Sequence, residues 1–282
     1  IAKLTGPDGT SLAARLVQDG QITADGGHVQ LSVNSARSLV DNSINMTGIV
    51  QARSVASQGG SIVLSGGDNG IVSVTGTLDA SGQEAGEVGG IVKVLGDKVG
   101  IFGSAVLDAS GDAGGGEILV GGNMLGQGPE QNASATVITK DARIDARALT
   151  SGDGGRVIVW SDEYTAFFGG ISVRGGSTSG DGGFIETSSK GHLDAQGTVD
   201  ASSTFGVGGL WLLDPSDIEI IAGGGLTNAA SNTVGGIEVF TGSAGASTVQ
   251  ASLINTQLTN GVSVTVSTVS GEGDQGDITV SE

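Results

Sequence analysis

Residues 152–217 read GDGGRVIVWSDEYTAFFGGISVRGGSTSGDGGFIETSSKGHLDAQGTVDASSTFGVGGLWLLDPSD. One phrase comes round three times in this stretch. A glycine pair starts a short apolar run: Gly154 and Gly155 before residues 156–160 (RVIVW), Gly182 and Gly183 before 184–187 (FIET), Gly208 and Gly209 before 210–213 (LWLL). Shorter alternating runs lie between them, at 171–174 (ISVR) and 198–201 (TVDA). Self-similarity at a fixed period marks a solenoid, in which each unit buries its apolar face only against its neighbours.

The same unit extends upstream. The second glycine of each pair falls at Gly27, Gly60, Gly90, Gly116, Gly155, Gly183 and Gly209. The unit is therefore roughly 26–30 residues long, and the wider gaps hold insertions. Such a unit suits one coil of a parallel β-helix, with two or three short strands each paired to its copy in the next coil. Strands pair about 4.8 Å apart, so some ten coils predict a rod about 50 Å long. In TLDAS (77–81), alternation puts Leu78 and Ala80 in the core, stacked on the 106/107 positions of the next coil, with Asp79 and Ser81 in water. The glycines allow sharp corners, often at positive φ. The register of the tight run 91–94 (IVKV) stays open.

Composition narrows the function classes. The chain has 282 residues, 53 of them glycine and only 3 proline, with no three-residue glycine period, which excludes collagen. At 37% hydrophobic it is too apolar for a disordered linker. A net charge of −18 repels nucleic acid and anionic lipid. With no cysteine there is no disulfide scaffold, thiol chemistry or cysteine-ligated metal. No apolar run approaches the roughly 18–20 residues of a membrane span, so membrane insertion is not expected. The chain opens on Ile1 in mid-pattern and reads as a segment of a longer protein.

Some stretches depart from the rhythm. Residues 12–17 suit either a helix or a strand, and 35–45 form an insertion of uncertain shape. Residues 123–136 are polar and carry Pro129, which predicts a loop leaving one side. The coils are expected over 1–217, with further coils over 218–282. Within the latter, 223–225 and 227–236 read as loop. A flanking helix is expected at about 247–260, with Ser247 as its N-cap, Gly261 as its stop, and Val249, Leu253, Ile254 and Leu258 on one face.

The runs GGRVIVWSDEYTAFFGGISVRGG, GDGGFIETSSKGHLDAQGTVDASS and LWLLDPSDIEI resemble large exoproteins of the filamentous haemagglutinin type, and so does the tail from STVQASLINTQ onward. The resemblance covers roughly residues 20–282, and its most specific phrase is WLLDPSD. It implies an all-β, right-handed parallel β-helix, exported from a Gram-negative cell by two-partner secretion and used in adhesion or biofilm contact. The implied partner is an outer-membrane transporter, engaged through an N-terminal secretion domain with Asn-Pro-Asn motifs. No such motif occurs here, so the resemblance places this segment in the shaft downstream of that domain. Family members can carry glycans on Asn-X-Ser/Thr sequons, which Asn45 and Asn132 match.

Catalytic and metal chemistry find little support. His28 and His192 lie far apart and beside no nucleophile-elbow pattern. No phosphate-binding or dinucleotide fingerprint is present. Asp79, Asp108, Asp145 and Asp200 hold equivalent slots and form an acidic ladder, read as outward solubilising residues rather than a hydrolase site. The GDGG turns share half of a calcium nonapeptide but lack its nine-residue tandem. Neither a metal nor a cofactor is expected. The aromatics gather at 160–211, and Trp160 and Tyr164 are the candidate ligand contacts, with a host-cell or matrix glycan as the candidate ligand. The reading is a non-enzymatic, surface-displayed shaft. A glycan-binding module is the alternative, and a polysaccharide-cleaving β-helix a third.

Overall fold

Three stacks of short parallel strands run the length of the molecule. The computed structural model describes residues 14–33, 42–56, 58–222, 229–234, 237–242, 247–268 and 276–281. Up to residue 213 each coil visits the three stacks in turn. Sheet I has ten strands, sheet II seven and sheet III eight. The coil between Ile71 and Leu95 is typical, with Ile71–Val74 in sheet I, Thr77–Asp79 in sheet II and Ile91–Leu95 in sheet III. The expected parallel β-solenoid is borne out, and so is one short helix near the C-terminal end. Among the described residues seven coils carry all three sheets, not the ten that spacing alone implied.

Register follows from alternation. In sheet II the inward positions form one unbroken aliphatic column: Ile22, Val50, Leu78, Leu107, Ile144, Ile171 and Val199. From Val50 onward these side chains are buried, and each buried Leu or Ile contributes about 1.5–3 kcal/mol by leaving water. The open register at 91–94 resolves with Val92 and Val94 in the core and Lys93 outward.

Glycine pairs mark the corner from sheet II to sheet III. A Cβ added at Gly90, Gly116, Gly155, Gly183 or Gly209 would overlap the carbonyl oxygen of the equivalent glycine one coil earlier. The requirement is close backbone approach, not the positive φ expected from sequence. Left-handed φ occurs instead at Gly152 and Gly180, which open the GDGG turns.

The aspartate ladder corrects the expectation that Asp79 and Ser81 face water, because both are buried. In register, Asp79, Asp108 and Asp145 stack directly. Each Asp closes its own corner. The Oδ1 of Asp79 accepts from the amide (3.0 Å) and hydroxyl (2.7 Å) of Ser81, and Asp108 and Asp200 do the same for Ser110 and Ser202. Arg53, Arg147 and Arg174 pair with Asp79, Asp145 and Asp200. Burial, with the neighbouring Asp108 charge as a lesser cause, pushes the Asp145 carboxyl above its usual range.

Past residue 213 the coil order changes. Sheet I ends in the order His192–Ala195, Ser247–Gln250, Ile218–Ile221, Ile278–Ser281. The chain skips a level and makes an antiparallel hairpin from Ala229–Val234 and Ile237–Gly242. It then returns to fill the gap. The loop expected over 227–236 is therefore largely strand, and 223–228 lie outside the described residues. Residues 14–18 are strand, and of the 35–45 insertion residues 35–41 lie outside the described residues.

The helix is shorter than expected, Ala251–Thr259, with Gln250 as its N-cap. Ser247 instead lies in a buried strand, where its Oγ accepts from the amide of Leu193 at 3.0 Å. The inward face carries Leu253, Ile254 and Gln257, while Leu258 is exposed. The helix replaces the next sheet II strand. Gln257, buried, donates from Nε2 to the carbonyl of Val199 at 2.7 Å and so caps the open edge of that sheet. Gln257→Ala is expected to cost about 1–3 kcal/mol by stranding this carbonyl, read as a lower urea midpoint. An unchanged midpoint would mean that water replaces the cap.

Candidate functional site

Sheet III has an outer face as well as a core face, and the excursion expected at 123–136 is what covers it, although residues 135 and 136 already belong to the sheet I strand Ala135–Ile138. Instead of leaving the body, this loop folds back across the sheet. Glu130 accepts from Lys93 Nζ, and also from Asn123 Nδ2 at 2.7 Å. Gln131 Nε2 donates to the Gly67 carbonyl at 3.1 Å, and Arg156 reaches both Glu117 and Asn123 at 3.2 Å. The Lys93 ammonium is the main cause holding the Glu130 carboxyl below its ordinary range. Beneath the loop Leu119, Ile158 and Trp160 form a small outer core, with Phe184 packed on it.

Where the loop meets the ends of the sheet III strands there is a cleft of about 690 Å³. Its lining includes Leu125, Asn132, Trp160, Lys190, Asp214 and Pro215. Asp162 Oδ1 accepts from both the indole Nε1 of Trp160 and Asn132 Nδ2, each at 3.1 Å. Asn132 Nδ2 also donates to the Gly126 carbonyl at 2.9 Å, and its Oδ1 is buried without a partner. The cleft thus joins an indole, the two amides of Gln127 and Asn132, two carboxylates and one lysine.

The predicted ligand residues separate. Trp160 is on this cleft but only 5% exposed. Tyr164 lies on the outer face of sheet I, where it stacks on His192 with ring centroids 5.4 Å apart. Burial, then the nearby Asp194, raises its phenol above the ordinary range. Asn45 sits in a sheet I strand, in register with Val17 and Ser73. The second sequon, Asn132, has its amide nitrogen engaged as above. The GDGG aspartates bind backbone: Asp153 Oδ1 accepts from the amide of Asp181, and Asp181 Oδ1 from that of Val207, both at 2.7 Å. Among the described residues no cluster of three or more His, Asp or Glu is disposed to hold a metal, and no helix is long and apolar enough to cross a membrane.

Sequence reasoning missed Glu186. It lies outward on sheet III, is fully buried, and accepts from the Leu125 amide at 3.1 and 3.2 Å. Burial raises its carboxyl to about 7, against weaker lowering by the Leu125 amide and Ser188. The one available signal was a charge in the apolar run FIET.

The chain is similar to the HMW1 secretion domain from Haemophilus influenzae, with 31% identity and a TM-score of 0.56 over 73% of this chain. The chain spans about half, 51%, of the length of that secretion domain. No family model and no curated protein matches the chain.

Proposed function

We propose that the chain is a secreted or surface-displayed structural segment of an adhesin-type exoprotein, exported through an outer-membrane transporter of a two-partner system. Its work is mechanical: stacked coils hold adhesive regions of the full protein away from the cell. The observation that carries this reading is the continuity of the three parallel sheets, whose backbone ladders and aliphatic columns run from coil to coil. Such a stack gains stability from each nearest-neighbour interface and can fold coil by coil as it emerges. The likeness to a secretion domain supports the export route. Placement in the shaft, downstream of the secretion domain, is part of the same proposal, and no catalysis is.

A second reading is a glycan-binding module, favoured by the indole-bearing cleft at Trp160. One experiment separates the two: glycan-array and host-cell binding by the purified segment, with folding checked by β-type circular dichroism. The structural reading expects no saturable binding from folded protein. Saturable binding lost in Trp160→Ala would transfer the activity to the cleft and overturn a passive role.

A further inference from the structure

Three corners leading from sheet III to sheet I have the same length. Four residues separate Val159 from Tyr164, Thr187 from His192 and Leu213 from Ile218. The first two corners keep their level. Arg156–Val159 pairs with Phe184–Thr187 in sheet III, and Tyr164–Phe167 pairs with His192–Ala195 in sheet I. Leu210–Leu213 takes the next level of sheet III, directly on Phe184–Thr187. The same corner should then set Ile218–Ile221 directly on His192–Ala195. Instead Ser247–Gln250 lies between them, so residues 214–217 climb one level more with no added length.

We infer that strand 218–221 has two seats: it first pairs directly with His192–Ala195, and is displaced one level along the stack when Ser247–Gln250 and the helix that follows it close the coil. The register allows the first seat unchanged. Asp194 pairs with Thr248 and Thr248 with Glu219; Ala195, Val249 and Ile220 align likewise. Without the middle strand Ile220 meets Ala195, and Ile218 meets the buried Leu193, with the same side chains inward. The backbone partner is also in place. In the preceding coil the amide of His192, first in its strand, donates to the Glu163 carbonyl at 2.8 Å. The equivalent acceptor for Ile218 is the Gly191 carbonyl. Ser216 holds that carbonyl through its amide (3.4 Å) and hydroxyl (3.1 Å), while the Ile218 amide turns to the Asp277 carbonyl at 3.0 Å.

Chain order decides which seat is taken first. Ile218 follows Leu213 after one short corner, whereas Ser247 arrives only beyond the hairpin Ala229–Gly242, and closing the longer loop costs more entropy. The second seat is the more stable. In the first, Asp194 and Glu219 would stand side by side, and like charges directly opposite destabilise a strand pair. Thr248 separates them, and Val249 adds a buried aliphatic side chain to the column. The Oγ of Ser247 accepts from the Leu193 amide, and the helix brings Gln257 onto the open edge of sheet II. This order of closure is independent of the adhesin reading, since it concerns only the end of the stack.

Disulfide trapping in the whole chain distinguishes the seats. Residues 194 and 219 lie about 4.8 Å apart in the first seat and about 9.6 Å apart, beyond disulfide reach, in the second. Asp194→Cys/Glu219→Cys oxidised early in refolding from urea should crosslink well above its level in urea, and oxidised after folding it should stay reduced. Asp194→Cys/Thr248→Cys should show the reverse order and form only late. Crosslinking of the first pair that is no greater in early refolding than in urea would overturn the first seat, as would a second pair that forms as early as the first. Crosslinking of the first pair in folded protein would overturn the displacement. A further arm needs no kinetics. Val249→Pro bars strand 247–250 from a central level, because proline is not accommodated inside a sheet. Combined with the first pair, it should make that pair crosslink in protein with a β-type spectrum, and a pair that stays reduced there would overturn the inference.

Discussion

Gly155→Ala is expected to destabilise the coils by more than about 3 kcal/mol, or to prevent their pairing altogether. An added Cβ overlaps the carbonyl oxygen of Gly116 and lies 2.8 Å from that of Ala146. These two oxygens accept the amides of Arg156 at 2.9 Å and Gly155 at 2.7 Å. The side chain therefore cannot be accommodated without opening the ladder that joins two coils, and each backbone group stranded in a buried corner adds about 1–3 kcal/mol. Gly20 is the control, since nothing lies within 4 Å of a Cβ there, and Gly20→Ala should be neutral within about 1 kcal/mol. Urea unfolding of both variants reads the difference. Equal midpoints would show that the glycine column is not a packing requirement.

The second large effect is expected at Trp211. Its side chain is fully buried in the core, and its indole Nε1 donates to the Thr187 hydroxyl at 3.0 Å. Trp211→Ala opens a cavity and removes the donor to a buried hydroxyl, for a loss of about 3–5 kcal/mol. Phe205, 65% exposed in the next loop upstream, is the matched contrast, and Phe205→Ala should change stability by less than about 0.5 kcal/mol. Thermal and urea midpoints check both. A mild Trp211→Ala would mean that the core at this level is less tightly packed than its burial indicates.

What could be read from sequence was whatever repeats locally. Leu78 and Ala80 went inward because strand alternation leaves no other choice once Leu107 is stacked above, and the glycine pairs located seven of the eight described sheet III strands, all but Ser263–Val266. What could not be read depends on contacts far apart in the chain. The 123–136 excursion reads as a loop leaving the body, but Lys93, 37 residues from Glu130, and Glu186, 61 residues from Leu125, pull it back onto the sheet. Asp79 and Ser81 look like solvent residues until the aspartate is seen to satisfy the serine's amide and hydroxyl inside the corner. The strand at Ser247–Gln250 has helical periodicity in its residues, and only the vacant level beside His192–Ala195 makes it a strand. At the candidate site, Trp160 was legible from aromatic clustering, whereas Tyr164 lies on a different sheet and Glu186 gave almost no local signal.

Coil register underlies the fold, the cleft and the proposed mechanical role together. It can be measured with engineered cysteines, because the chain has none of its own. Thr77 pairs with Val106, and Val106 with Arg143, at outward positions of sheet II. Adjacent paired positions lie about 4.8 Å apart, within disulfide reach, while Thr77 and Arg143 are two coils apart at about 9.6 Å, beyond it. Under mild oxidation Thr77→Cys/Val106→Cys should crosslink readily with its β-type spectrum intact, and Thr77→Cys/Arg143→Cys should stay reduced. Crosslinking of the second pair, or failure of the first in folded protein, would contradict the solenoid register.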